Sequence, residues 1–495
     1  TGARRQGRRP PKRRAERGGG RGRMQIVAST FIALAAIAAM VLRGPQRSIG
    51  VLLALTPLGA AAAFNLPAVG GASIGVADLG VLTLFALVCV TPAGLPAILG
   101  AARPFSPGFW LVLLMAWCIV SALFMPRLFA GETQVFSISR SANDDGIAVN
   151  PLYPGTGNLT QLFRMLLGIC LFACMATLMR LRPEPGRVVA AMALATGLNV
   201  ALGWLDVVSA AAGLPQLLDP IRTANYAILS DHYFLGTKRM IGGFPEASSF
   251  GFYSLGLFGF WLAYWVQGPR TRLAPWMLAL SGIVLLRSTS SSAYAAAVAF
   301  LITWGLWMTL AHLRAEAARR GLRIFATILF AGWCALLLIF AAYQFADPVT
   351  DFLDRALFNK LESQSGVERM TWNAQAWQNF LDTAGMGAGL GSVRASNWLI
   401  AALGSIGWVG TALFLAFLGT TARVPAPDTP AGTRATIGGL KAGCLAMLLS
   451  ALLTHATPDL GLFFFALAGL AAGLSRGAVL ESPAPAGRAP AALRV

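Results

Sequence analysis

Charge is scarce in this 495-residue chain. Only 12% of its residues are Asp, Glu, Lys or Arg, against about 25% in a typical soluble domain. With 56% hydrophobic residues and a mean hydropathy of +0.64, that shortage excludes an ordinary soluble fold. No connecting segment exceeds about 50 residues, near the lower size limit of a domain, so no appended soluble domain is expected. The alternating polarity of a transmembrane barrel is missing as well. Histidine occurs three times. The six cysteines (Cys89, Cys118, Cys170, Cys174, Cys334 and Cys444) all sit inside apolar runs, as small buried hydrophobes do. Cys170 and Cys174 share a helix face without His or acidic company, which makes a poor metal site. We expect neither disulfides nor a metal. Also absent are the mid-helix acid–base pairs of a proton relay and any obvious inverted repeat.

What is present is a succession of apolar runs, many long enough to cross about 30 Å of hydrocarbon as helices. They fall near 24–42, 48–64, 74–95, 108–125, 161–180, 187–211, 247–267, 273–287, 292–312, 323–345, 396–419, 437–454 and 459–475. The expected fold is all-α: a polytopic helical membrane protein with twelve or thirteen transmembrane helices and large periplasmic loops. The transmembrane domain would span 24–475, flanked by a basic disordered tail over 1–23 and a cytoplasmic tail over 476–495.

Orientation follows from arginine and lysine in short loops. The basic connectors 180–187, 268–272, 312–323 and 423–441 and the basic C-terminal tail all fall on one side, which the positive-inside rule makes cytoplasmic. Long segments near 126–160, 212–246 and 346–395 then face the periplasm. The N-terminal 23 residues disagree: ten Arg or Lys against one acid should be cytoplasmic, yet counting back puts residue 24 outside. Either the biological chain starts at Met24 or 26–42 does not fully span; the first is the expectation adopted. This tail supplies much of the net charge of +19, so the charge does not imply nucleic-acid binding.

Three outward segments carry the polar chemistry. In 239-RMIGGFPEASSFG-251, Glu246 and Arg239 stand at the mouth of an apolar run, where charge is costly to keep. Ser248 and Ser249 are expected to cap the helix that begins there. Glu246 reads either as a first-turn acid favoured by the helix dipole or as a buried acid beside Arg239 and Lys238, able to accept a proton from a sugar hydroxyl. His232 reads as a solvated loop residue. In 285-LLRSTSSSAYAAAV-298, Arg287 adjoins five hydroxyls; it snorkels to headgroups or contacts phosphate. In 366–410, an amphipathic helix bearing Trp372, Ala376, Trp377 and Phe380 precedes the turn 385-GMGAGLGS-392, with Arg369 and Arg394 on either side. Planar guanidinium groups there suit a diphosphate. Asn397 opens the next span, and His455 with Asp459 lies near another outer helix end.

At 239-RMIGGFPEASSFG-251, 288-STSSSAYA-295, 369-RMTWNAQAWQNF-380 and 387-GAGLGSVRASNWL-399 the chain resembles the O-antigen polymerase/ligase superfamily of bacterial envelope proteins. The resemblance covers roughly 75–475 in layout and is sharp only at these motifs. It implies an inner-membrane glycosyltransferase, without cofactor, nucleotide sugar or metal, that polymerises O-antigen or exopolysaccharide repeats carried on undecaprenyl diphosphate. Implied partners are that lipid-linked glycan, membrane lipids and a chain-length regulator, not nucleic acid. Arg239 and Arg369 would hold the diphosphate, Arg287 and Arg394 would support them, and Glu246 would be the base. His232, Asn397 and His455 are secondary candidates. The proline precedes Glu246 here, whereas the family pattern has it following. Lipopolysaccharide ligases carry a His just before the third motif's Asn; this chain has Ser396, which favours a polymerase over a ligase, although His455 could substitute in space. A lipid-linked saccharide flippase is the reading from another class.

Overall fold

The computed structural model describes residues 24–67, 71–138, 147–226, 228–229, 233–234, 237–313, 364–425 and 430–481, with a few isolated helical positions between 326 and 350. The chain is a helical bundle with small β elements at one end. In order, the helices are α1 (Ala28–Arg43), α2 (Pro45–Leu55), α3 (Val76–Val90), α4 (Gly94–Ala101), α5 (Pro107–Leu128), α6 (Thr156–Leu181), α7 (Pro185–Ala211), α8 (Ala247–Gln267), α9 (Leu273–Arg287), α10 (Ser291–Leu313), α11 (Gln364–Asp382), α12 (Trp398–Ala422), α13 (Ala431–Thr454) and α14 (Gly461–Glu481). Strands β1 (Gln25–Ile26), β2 (Ala62–Leu66) and β3 (Ala72–Gly75) form one antiparallel sheet. Strands β4 (Gln134–Ile138) and β5 (Ile147–Pro151) form a hairpin, as do β6 (Tyr233–Phe234) and β7 (Thr237–Lys238).

The all-α polytopic expectation holds, and the described residues account for part of the expected twelve or thirteen spans. Among the described residues, seven helices are long and apolar enough to cross a membrane, or eight if α3 and α4 count as one span bent by 113°. The physical reasons differ by place. The expected span 48–64 is an 11-residue helix that stops at Leu55, after which the chain enters β2. The expected spans 24–42 and 273–287 are the shorter helices α1 and α9. The expected span 323–345 lies almost wholly outside the described residues. Helix α8 has 21 residues yet is missing from the seven. Glycine, serine and aromatic residues dilute its hydropathy, which it tolerates because most of its side chains are buried in protein.

Small residues set the packing. Along α14, Gly469, Gly473 and Gly477 recur every fourth residue, and a methyl group on any of them would press on the α6 backbone at Phe172 O, Ala176 O or Met179 O. In hydrocarbon, where apolar surface has no aversion to lipid, such close approach is what holds helices together. Gly256 and Gly443 let α8 and α13 meet in the same way. Phe414, Phe417, Phe464 and Phe465 fill the space between α12 and α14 with edge and stacked ring contacts.

The basic turns gather at one end of the bundle. Gln46 Nε2 donates to Arg182 O at 3.1 Å, tying 43–47 to 180–187. Ser475 Oγ donates to Pro425 O at 2.6 Å, and Lys441 Nζ to Val424 O at 3.1 Å. The other end receives segments expected in long loops: the β4–β5 strands, the described parts of 215–246, and α11 with the glycine-rich turn.

Candidate functional site

Helix α8 starts at Glu246, which takes an extended conformation (φ −152°, ψ 161°) as the residue before the first turn. Ser248 and Ser249 do not cap this helix, contrary to expectation. Their hydroxyls donate to Glu246 Oε1 instead, Ser249 at 3.3 Å. The carboxylate is thereby fixed through one oxygen, while Oε2 has no protein partner among the described residues. Glu246 also lines a cavity of about 270 Å³ with Asp78, Arg164, Tyr226, His455 and Asp459.

Arg239 and Arg394 lie within electrostatic reach of Glu246, and Arg369 within reach of Arg239; none of the three lines that cavity. Burial pulls the Arg239 guanidinium below its ordinary value; the Glu246 carboxylate opposes this and the nearby Arg369 adds to it. Burial likewise lowers Arg394, with Glu246 opposing and Arg164 adding. Arg239 and Arg394 thus share Glu246 as a counter-charge, Arg369 adds its charge beside Arg239, and Arg164 stands between Arg394 and the Asp78 carboxylate. None of these arginines forms an ion pair among the described residues. Nε of Arg239 and Nε of Arg394 are buried without a hydrogen-bond partner, and such groups normally find one. The Arg394 guanidinium lies 5.7 Å from the centre of the Trp372 ring, which holds a cation in place without neutralising it. Arg369, Trp372 and Asn373 come from one face of α11, and Asn373 Oδ1 accepts from Ser396 N at 2.7 Å, joining that face to the 394 turn.

Lys238 plays a different part from its neighbour. The reading that grouped it with Glu246 is corrected: Lys238 Nζ is buried on Asp206 of α7. Asp206 also accepts from Arg222 Nη2 at 2.6 Å, Ile241 N at 2.9 Å and Gly242 N at 3.2 Å. This fully buried carboxylate clamps the residues on both sides of Arg239. Arg287 ends α9 and donates from Nη1 to Lys238 O at 2.9 Å, bracing the same turn. The hydroxyls after it are spent locally: Ser288 Oγ donates to Leu285 O at 2.7 Å, Thr289 Oγ1 to Ser288 O at 2.8 Å, and Ser290 pairs with Ser292 at 3.1 Å.

The glycine-rich turn is a packing device. Gly387 and Gly389 have φ of 83° and 104°, and side chains there would overlap Gly407 and Pro126. Its amides are occupied as well: Ala388 N donates to Gly404 O at 2.8 Å and Gly389 N to Ser405 O at 3.0 Å. Those partners are free because α12 is interrupted at Gly407 (φ 63°). Asn397 caps α12 through Leu399 N and Ile400 N at 2.9 and 3.2 Å. His455 follows the end of α13, its ring 5.2 Å from that of Phe252. Burial lowers its pKa, partly offset by Asp459. His232 lies outside the described residues.

Asp206, Arg222, Asp78 and Arg164 were not singled out in the sequence. Asp206 and Arg164 each interrupt an apolar run, which was the available signal. Among the described residues no group of three or more His, Cys, Asp or Glu side chains is arranged to hold a metal. No protein-family model matches this chain, and no curated protein matches it.

Proposed function

We propose that this protein is a membrane glycosyltransferase that polymerises oligosaccharide repeats carried on undecaprenyl diphosphate, at the periplasmic face of the bacterial inner membrane. The observation that carries the reading is Arg239 and Arg394 gathered around Glu246, with Arg369 beside Arg239 and with Nε of Arg239 and Nε of Arg394 buried and unpaired among the described residues. Unneutralised buried cations are costly, and a diphosphate offers the oxygens that planar guanidinium groups engage bidentately. In this reading the arginines hold the diphosphate of the donor, and the cavity on the other side of Glu246 takes the acceptor sugar. The Oε2 atom of Glu246 accepts the proton of an acceptor hydroxyl as its oxygen bonds to the donor's anomeric carbon. The bond from that carbon to phosphate breaks, and the diphosphate leaves with the electron pair, stabilised by the arginines. Charge placed mostly in loops and at the ends of the spans supports surface chemistry over a flippase, which needs charge through mid-membrane.

A second reading has its own support. His455 lines the same cavity as Glu246, and a histidine base at the acceptor would suit a ligase that transfers the glycan to lipid A core or protein. Purified protein given undecaprenyl-diphosphate oligosaccharide separates the two. Chain-lengthened lipid-linked product marks a polymerase, and transfer only to an added core acceptor marks a ligase. The absence of any product in both assays rejects the enzyme reading.

A further inference from the structure

The end of the bundle away from the cavity holds a second set of unneutralised cations. Arg180 is the last-turn arginine of α6. Its Nη1 is buried with no hydrogen-bond partner. The guanidinium rests against α4, so closely that a methyl group on Gly100 would overlap Nη1. Arg103, just past α4, and Arg476, near the end of α14, lie within electrostatic reach of it and repel it. Both are exposed. The acid nearest in sequence, Glu184, is committed to Arg187 at 2.7 Å. Arg180 thus has two further cations within electrostatic reach and no carboxylate partner among the described residues.

The surroundings are apolar and open. Helix α4 turns by 113° from α3, so it lies across the bundle axis instead of along it. Its Gly94 and Ala97 face the protein, while Leu95 and Leu99 are 52% and 68% exposed, with Val90 and Phe105 more so. A helix lying across the direction of its neighbours with an exposed apolar side belongs at the boundary between headgroups and acyl chains. A cation cluster at that depth, roofed by such a helix, has the make-up of a basic pocket between helices that takes a lipid phosphate.

We infer that Arg103, Arg180 and Arg476 form a binding site for the phosphate of an anionic glycerophospholipid, whose acyl chains run over Leu95 and Leu99. The phosphate oxygens supply the acceptor that Arg180 Nη1 lacks and relieve the repulsion among the three guanidinium groups. The site is independent of the cavity and of the activity proposed for it.

Native mass spectrometry of the full chain in detergent tests this, with phosphatidylglycerol and phosphatidylcholine of the same acyl chains as probes. The wild-type protein is expected to retain phosphatidylglycerol in clear preference. Arg180→Gln is expected to weaken that retention about fivefold, the worth of one interfacial arginine. Arg103→Gln with Arg476→Gln covers the case in which the Arg180 variant does not fold. Arg187→Gln, which breaks a rim ion pair on the same face, should leave retention unchanged. Millimolar inorganic phosphate distinguishes the sources: retention in its presence identifies the lipid, and displacement identifies a general phosphate site. Equal retention of the two lipids by wild type, or retention in the variants equal to wild type, overturns the inference.

Discussion

Lys238 and Arg239 are adjacent, both cationic and both at least half-buried, yet their surroundings are opposite. Lys238 ends on Asp206, which also takes Arg222 and two backbone amides, so its charge has a carboxylate partner within the fold. Arg239 keeps an unpaired Nε with Arg369 near it, and shares the Glu246 carboxylate with Arg394. The first arrangement is closed and can only hold the chain in place. The second is incomplete without an anion. The contrast separates scaffold from site more sharply than residue type does, because the two cations differ in what they lack.

Breaking the closed side should cost the most stability. Asp206→Ala leaves Lys238 and Arg222 buried without a counter-charge, with an expected loss of about 3–5 kcal/mol, read as a lowered midpoint of thermal unfolding in detergent. The open side should respond in activity instead. Arg239→Ala or Arg369→Ala should lower turnover on lipid-linked oligosaccharide about 10²- to 10³-fold, the usual effect of removing one donor to developing charge. Unfolding should be nearly unchanged, because no native partner is lost. Wild-type turnover by either variant would remove the proposed diphosphate site. Gly389→Ala tests whether the glycine-rich turn belongs with the scaffold: a side chain there overlaps Pro126 at an unfavourable φ, so about 1–3 kcal/mol of stability should be lost. A phosphate-cradling turn would show its defect in substrate affinity at unchanged stability. The smallest effect concerns His455. Burial holds its folded imidazole below the ordinary value, so between the two values the unfolded chain binds a proton that the folded chain refuses. The neutral ring's contribution is complete above about pH 6.5 and is lost as pH falls toward the folded value. His455→Gln should therefore flatten the decline in melting temperature between pH 7 and 5, and an unchanged slope would assign the decline to other groups.

Much of the architecture was legible because hydrocarbon imposes a strict demand on composition. Runs such as 187–211 and 247–267 coincide with α7 and α8 to within two residues at either end. The shared end of the basic turns was also readable, and Gln46 bonded to Arg182 bears it out for two of them. The misreadings occurred where local pattern had two physical solutions. The 48–64 run is apolar throughout, yet it divides into α2 and β2, since β2 can hydrogen-bond both β1 and β3. Ser248 and Ser249 read as caps, but the helix begins at Ala247, which puts them in its first turn and Glu246 at the cap position, where its carboxylate accepts from both hydroxyls. Asp206 gave no local sign of its role, because its partners Arg222 and Lys238 lie 16 and 32 positions further along the chain.

By itself, the amino-acid sequence determined that this chain is a bundle of apolar helices, which stretches carry the scarce charge, and which turns share an end. These follow from composition and periodicity, properties that each segment holds alone. Only the tertiary structure decided which cations meet a carboxylate: Lys238 and Arg222 share Asp206, whereas Arg239, Arg369 and Arg394 have none within ion-pair range among the described residues. Pairing is a matter of distance between residues far apart in the chain, and Coulomb energy depends on that distance and on the burial around it. Neither is written in any one segment.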